Sequence, residues 1–261
     1  MKKNHVDVII MGAGLSGIGA ACHLQRNCPE KTYVILEARN SMGGTWDLFR
    51  YPGIRSDSDM YTLGYNFKPW TNPKVIADGP SILSYIKETA QEYKVESKIK
   101  YNTKVTAMRW CTKDTLWSVY CLNTKTNETV VYTCNYLESC LGYYKYEKGY
   151  TPEFKGIDKY KGAVIHPQLW PEDLDYTNKE IIVIGSGATA VTLVPAMIGK
   201  AKHVTMLQRS PTYVVSVPNH TLFPKKMNEL LPAQLMYTIN RTAHVGISML
   251  QYSLSRAQPE M

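Results

Sequence analysis

The chain has 261 residues, 44% hydrophobic and 20% charged, which is enough to bury a core and too mixed for a disordered segment. Its net charge of +8 arises from 30 Lys and Arg against 22 Asp and Glu, yet no basic run exceeds two residues. Scattered charge of this kind argues against nucleic acid as a partner, and no uninterrupted apolar run is long enough to predict a transmembrane segment.

The amino terminus, Met1-Lys2-Lys3 followed by apolar residues, imitates a secretory signal. Asp7 and the glycines at 12, 14, 17 and 19 interrupt that stretch. They fit a dinucleotide-binding fingerprint better: an apolar strand over Val6–Met11, then Gly12-Ala13-Gly14-Leu15-Ser16-Gly17 opening a helix. Gly12 permits the tight turn, and Gly14 lets backbone approach a pyrophosphate. Gly17 allows close helix–strand packing, and the helix N-terminus around Ser16 faces the phosphates. The next strand, Tyr33–Leu36, ends at Glu37, 20 residues past Gly17. A carboxylate there accepts hydrogen bonds from both ribose hydroxyls and repels a 2′-phosphate, so the first site reads as FAD or NAD.

Residues 40–80 lack a clear period and are rich in aromatics: Trp46, Phe49, Tyr51, Tyr61, Tyr65, Phe67 and Trp70. An irregular stretch of this length within a domain points to function, although packing of the loop accounts for most of the rings. Pro80-Ser81 starts a predicted helix to about Tyr93, with Ile82, Leu83 and Ile86 on one face. Residues 99–141 alternate as strands, with a hairpin loop over 123–127. Residues 143–178 form a connector rich in Tyr, Lys, Gly and Pro.

A second fingerprint follows. The strand Ile181–Ile184 leads into Gly185-Ser186-Gly187-Ala188-Thr189-Ala190 and on to Val191. Its next strand, His203–Gln208, ends at Arg209-Ser210 with no acid. An arginine fork and a hydroxyl suit a 2′-phosphate, so the second site reads as NADP(H); the alternative is a solvated charge at a strand end. A short apolar strand from 214 and amphipathic helical residues over 226–257 complete the pattern. The expected architecture is α/β, with two Rossmann-like domains, 1–142 and 179–261, both incomplete. The six cysteines (22, 28, 111, 121, 134, 140) show neither CxxC nor zinc spacing, so no metal is expected; they read as buried thiols in a cytoplasmic protein.

The run Gly43-Gly44-Thr45-Trp46-Asp47-Leu48-Phe49-Arg50-Tyr51-Pro52-Gly53-Ile54-Arg55-Ser56-Asp57 resembles a motif of class B flavoprotein monooxygenases of the Baeyer–Villiger type. Their second motif, F-x-G-x-x-x-H-x-x-x-W-P, is matched by residues 160–171, with Tyr160 in place of Phe and His166, Trp170 and Pro171 in register. The segments 57–65 and 185–193 are similar to the ethionamide-activating subgroup. The resemblance implies bound FAD and NADPH, with Thr45, Trp46, Asp47, Leu48, Arg55, Ser56 and Asp57 at the cofactors, Asp57 as the catalytic candidate, and the backbone of Val105 at the adenine. His166 is implied as a linker residue. The implied reaction puts one oxygen of O₂, through a peroxyflavin, into a ketone or onto the sulfur of a sulfide or thioamide. Peripheral membrane association is compatible with the pattern. Family members continue past the length of this chain and supply an arginine over the flavin from that later segment. The competing reading is therefore a noncatalytic nucleotide-binding remnant, or a half-enzyme that needs a partner chain. Disulfide reductase chemistry is excluded, because no cysteine lies between 28 and 111.

Overall fold

The computed structural model describes residues 3–210, 214, 216, 219–223 and 230–257. In chain order its elements are β1 (Lys3–Met11), α1 (Leu15–Asn27), β2 (Tyr33–Leu36), α2 (Thr45–Leu48), α3 (Met60–Leu63), α4 (Gly79–Glu92), β3 (Ile99–Lys100), β4 (Thr103–Cys111), β5 (Leu116–Asn123), β6 (Thr129–Ser139), β7 (Glu180–Ile184), α5 (Ala188–Met197), β8 (His203–Leu207) and α6 (Ala233–Ala257). They group into two compact units, Met1–Tyr51 with Gly79–Leu174, and Pro52–Asp78 with Asp175–Met261. This grouping differs from a division at 142 and 178. The connector residues up to Leu174 join the first unit, and residues 52–78 join the second.

The first unit is a six-stranded sheet of order β3-β2-β1-β6-β5-β4. Its β3, β2, β1 and β6 are parallel neighbours, and β6-β5-β4 form an antiparallel meander. The strand β2 is buried at all four residues, as expected for a parallel strand covered on both faces. On α1 the buried residues are Gly17, Ile18, Gly19, Ala21 and Cys22, mostly small, so the helix lies close to the sheet. On α4 they are Ile82, Tyr85, Ile86, Thr89 and Ala90, a helical stripe. Leu83, expected on that face, is half-buried, and Tyr85 takes its place. A core of Ile9, Met11, Val34, Leu36, Val119, Cys121 and Cys134 joins the parallel strands to the meander. The hairpin forms where expected, with the Asn123 side chain accepting from the Lys125 and Thr126 amides at 2.9 and 3.1 Å.

In the second unit β7 and β8 pair in parallel, connected through α5. The segment 52–78 packs within this unit: Tyr61, Tyr65, Trp70 and Val75 are buried, as are Met236 and Tyr237 of α6. Phe49 and Tyr51 are buried in the first unit, so most rings of the irregular stretch serve packing. The strand expected from 214 lies largely outside the described residues, and Val214 and Ser216 are irregular. The six cysteines are free, but only Cys22, Cys121 and Cys134 are buried; the other three are half-buried.

Candidate nucleotide-binding sites

The two fingerprints fold into the same turn. Gly12 has φ +100° and Gly185 +126°, a region that favours glycine. In each copy this first glycine donates its N–H to the last residue of the following strand, Gly12 to Leu36 O and Gly185 to Leu207 O, both at 2.8 Å. Gly14 and Gly187 then cap α1 and α5 with nearly equal backbone angles, φ −82°, ψ −170° and φ −77°, ψ −177°. The copies diverge at the third position. A Cβ on Gly17 would sit 1.9 Å from Gly12 O, whereas the second copy accommodates the buried Ala190. The space over Gly185 and Gly187 is open, with nothing within 4 Å of an added Cβ at either. In the first copy a Cβ on Gly14 would lie 3.6 Å from Gly44 Cα, and Gly43 N donates to Ala13 O at 2.9 Å. The Gly43-Gly44 loop thus forms one wall beside the first turn, and open backbone amides at a helix start suit a pyrophosphate.

The strand ends carry the residues expected to read the sugars. Glu37 is buried; one carboxylate oxygen accepts from Ala13 N at 2.8 Å and the other from Arg39 N at 2.9 Å. These bonds aim the carboxylate at the fingerprint turn and leave each oxygen a further lone pair. Arg209 and Ser210 are exposed, and the Ser186 hydroxyl donates to Ser210 O at 3.5 Å, which brings the second turn beside this strand end. Ser16 is exposed on the first turn of α1, and Thr189 and Val191 are half-buried on α5 with Ala188 exposed. Val105 pairs with Cys121 on the edge strand β4, beside a bulge before Ala107.

The motif residues divide in role. Asp47 is buried; one of its oxygens accepts from Arg39 Nη2 at 2.8 Å and from Ser41 Oγ at 2.6 Å, while Arg50 faces the other at 3.6 Å. Its carboxylate is committed to holding the loop. Trp46 and Leu48 are half-buried on α2, as is Thr45, which hydrogen-bonds Tyr146. Tyr146, absent from the sequence expectations, lies with its hydroxyl 3.3 Å from the place a Gly44 Cβ would take, and the Arg39 guanidinium lies 5.9 Å from its ring. Burial raises its phenol pKa. Nothing distinguishes it in sequence from the tyrosines around it. Gly44, with φ +56°, was visible as the second glycine of a pair.

In the second unit Gly53, φ +82°, abuts α5, where a Cβ would meet Thr192 O at 2.4 Å. Arg55 is exposed, and its backbone forms an isolated antiparallel β-bridge with that of Asp78. Ser56 is buried, and its hydroxyl donates to Ser58 O at 2.7 Å and accepts from Ser58 N. Asp59 caps α3, accepting from Thr62 N at 3.0 Å. Turn-capping in this loop is done by Ser56 and Asp59. Asp57 is exposed, and its side chain has no hydrogen-bond partner among the described residues. In the first unit His166 accepts from Gln168 N at 3.2 Å, and its ring fills the place of a Cβ on Gly149. Buried Gln168 in turn donates to Lys145 O at 2.7 Å. His166 is thus tied into the connector. Among the described residues no group of His, Cys, Asp and Glu is arranged to hold a metal.

A profile of the pyridine nucleotide-disulphide oxidoreductase family matches residues 9–249. The chain belongs to this family. It is 54% identical over 256 residues to the FAD-containing monooxygenase EthA of Mycobacterium tuberculosis, covering 98% of this chain and 52% of that one. EthA of Mycolicibacterium smegmatis is 53% identical with the same coverage. Among solved structures, cyclohexanone-bound cyclohexanone monooxygenase superposes with a TM-score of 0.74 at 27% identity, covering 88% of this chain and 43% of that one. OTEMO in complex with FAD and NADP gives 0.74 at 32% identity, covering 91% and 45%. The chain spans about half the length of the curated relatives it matches. These likenesses fit the Rossmann-type folds of both units. Within an oxidoreductase family named for disulphides, this chain carries Thr45-Trp46 where a redox cysteine pair would follow Gly43-Gly44. Among the described residues, no helix is long and apolar enough to cross a membrane.

Proposed function

We propose that the chain carries the FAD and NADPH sites of a flavin-dependent monooxygenase. The observation that carries this reading is one backbone turn built twice, ending once at buried Glu37 and once at exposed Arg209-Ser210. The region 1–142 takes FAD: the turn of Gly12, Gly14 and Gly17 receives the pyrophosphate, Glu37 the ribose, and Arg39, Ser41 and Asp47 fix the adjoining loop. The region 179–261 takes NADPH on Gly185–Val191, with the 2′-phosphate on Arg209 and Ser210. The open space at Gly185 and Gly187 fits that role. Bound FAD supplies the redox chemistry, accepting hydride from NADPH and activating O₂. Asp57, whose carboxylate no turn consumes among the described residues, sits on a loop that packs with the second fingerprint unit and is assigned to contact flavin or nicotinamide. The proposed substrates are small ketones, in keeping with the name of cyclohexanone monooxygenase among the similar structures, or sulfur compounds, as the motif resemblance implies, and the proposed location is the cytoplasm. Peripheral contact with a membrane is a finer reading, supported by the exposed Met249, Leu250 and Tyr252 of α6.

The absorption spectrum of the purified protein separates this reading from a noncatalytic remnant. Stoichiometric bound flavin, bleached faster by NADPH than by NADH, is expected. Protein without flavin, or bleached equally by both nucleotides, contradicts it.

A further inference from the structure

A four-residue helix has almost no stability of its own, because its ends leave most backbone groups without partners. In α3 those groups are satisfied from far along the chain. At its N-terminal end Asp59 accepts from Thr62 N and, at 2.8 Å, from Thr62 Oγ1; His244 Nδ1 lies 3.6 Å from the same carboxylate. At its C-terminal end the Tyr237 hydroxyl donates to Tyr61 O at 3.0 Å and to Gly64 O at 3.3 Å. Arg241 Nη1 donates to Tyr61 O and, at 3.4 Å, to Thr62 O. The His244 ring also packs on Tyr61, with centroids 5.3 Å apart. Tyr237, Arg241 and His244 follow one another at i, i+4 and i+7, so they share one face of α6.

This face is more than a packing seam. Tyr237 and Asn240 are 2% and 1% exposed, and two polar atoms on the face, Asn240 Oδ1 and His244 Nε2, are buried without a partner among the described residues. Apolar side chains would join two helices at lower cost than a polar face left partly unsatisfied. What polar contacts add is a fixed geometry: three side chains read the two ends of α3 and hold it in one position.

Asp57 stands two residues before the Asp59 cap. It has no tie of its own, and its loop is anchored by Gly53 against α5, by Ser56, and by Asp59. We infer that Tyr237, Arg241 and His244 are positioning residues that set the Asp57 loop from α6, acting through α3. This rests on the reading of Asp57 given above.

The test uses the full-length holoenzyme. Tyr237→Phe and Arg241→Met are compared with Arg241→Lys, which keeps one donor, and with Asp57→Ala. Hydrogen–deuterium exchange is followed at the amides of residues 57–64, and flavin reduction by NADPH in a stopped-flow instrument. Tyr237→Phe and Arg241→Met are expected to speed exchange at Thr62, Leu63 and Gly64 about tenfold or more. At saturating NADPH they are expected to slow flavin reduction about tenfold, with flavin content and the Kd for NADPH nearly unchanged; Arg241→Lys restores part of both. Unchanged exchange overturns the inference, and so does faster exchange with a normal reduction rate. A slow Asp57→Ala beside normal α6 variants removes this inference alone. A normal Asp57→Ala removes the assignment of Asp57, and the positioning role with it.

Discussion

At the scale of single residues, two differences between the fingerprint units lead to tests. Gly17 has no room for a methyl group, since its Cβ would fall 1.9 Å from Gly12 O, while Ala190 is native at the matching place. Gly17→Ala is therefore expected to push α1 from its turn and abolish flavin retention, whereas Ala190→Gly leaves nucleotide binding nearly intact; equilibrium dialysis of each variant checks this. The other difference is the sugar-reading residue. Arg209→Ala is expected to weaken NADPH by about 1.5–3 kcal/mol, the worth of charge-assisted hydrogen bonds, and to leave NADH nearly unaffected. Equal losses for both, measured by titration, sink the assignment. The glycine turns, and the places of Glu37 and Arg209 at strand ends, were legible in sequence because each answers a local demand of chain geometry. The commitment of Asp47 to Arg39 and Ser41 was not legible, since its partners are fixed by how the loop folds back. Nor was the exchange of roles around Asp57, where the caps fall to its neighbours.

At the scale of elements, strand and helix positions followed from periodicity, and the small face of α1 packs Cys22 near Tyr33 of β2. Burial pushes the Cys22 thiol from 9.0 up to about 12, and the Tyr33 phenol from 10.0 to about 12, the thiolate charge of Cys22 adding to the second shift. The unfolded chain gives up these protons at lower pH than the folded one. Their contribution to stability is thus complete below about pH 9 and is lost as pH rises toward 12. The melting temperature is expected to fall across that interval, and Cys22→Ala to flatten the slope, in melts followed by circular dichroism. A slope unchanged by the substitution removes this account. Sequence could not reveal α3, whose four residues carry no period and whose support lies on α6, more than 170 residues on. Contacts so distant leave no local trace.

At the scale of the whole molecule, apolar surface lies bare in the second unit. On one face of the β7–β8 pair Ile182, Ile184 and Leu207 are 66%, 60% and 55% exposed. Exposed apolar strands favour association between chains. Residues 1–261 expressed alone are expected to bind an environment-sensitive dye such as ANS and to self-associate, and the pair Ile182→Lys with Leu207→Lys to reduce both. Light scattering that stays at the monomer value for the unaltered chain contradicts this.

The grouping of residues 52–78 with 175–261 has a consequence for synthesis on the ribosome. The aromatic-rich early piece, with Tyr61, Tyr65 and Trp70, emerges more than 170 residues before the helix side chains that hold it. At about 5–20 residues per second that is a wait on the order of 10–30 s, during which the first unit has its own strands to collect. The nascent chain thus displays a cluster of rings at the tunnel exit without its partner, a natural point of engagement for a ribosome-bound chaperone. Codons that slow elongation between 79 and 174 lengthen that exposure.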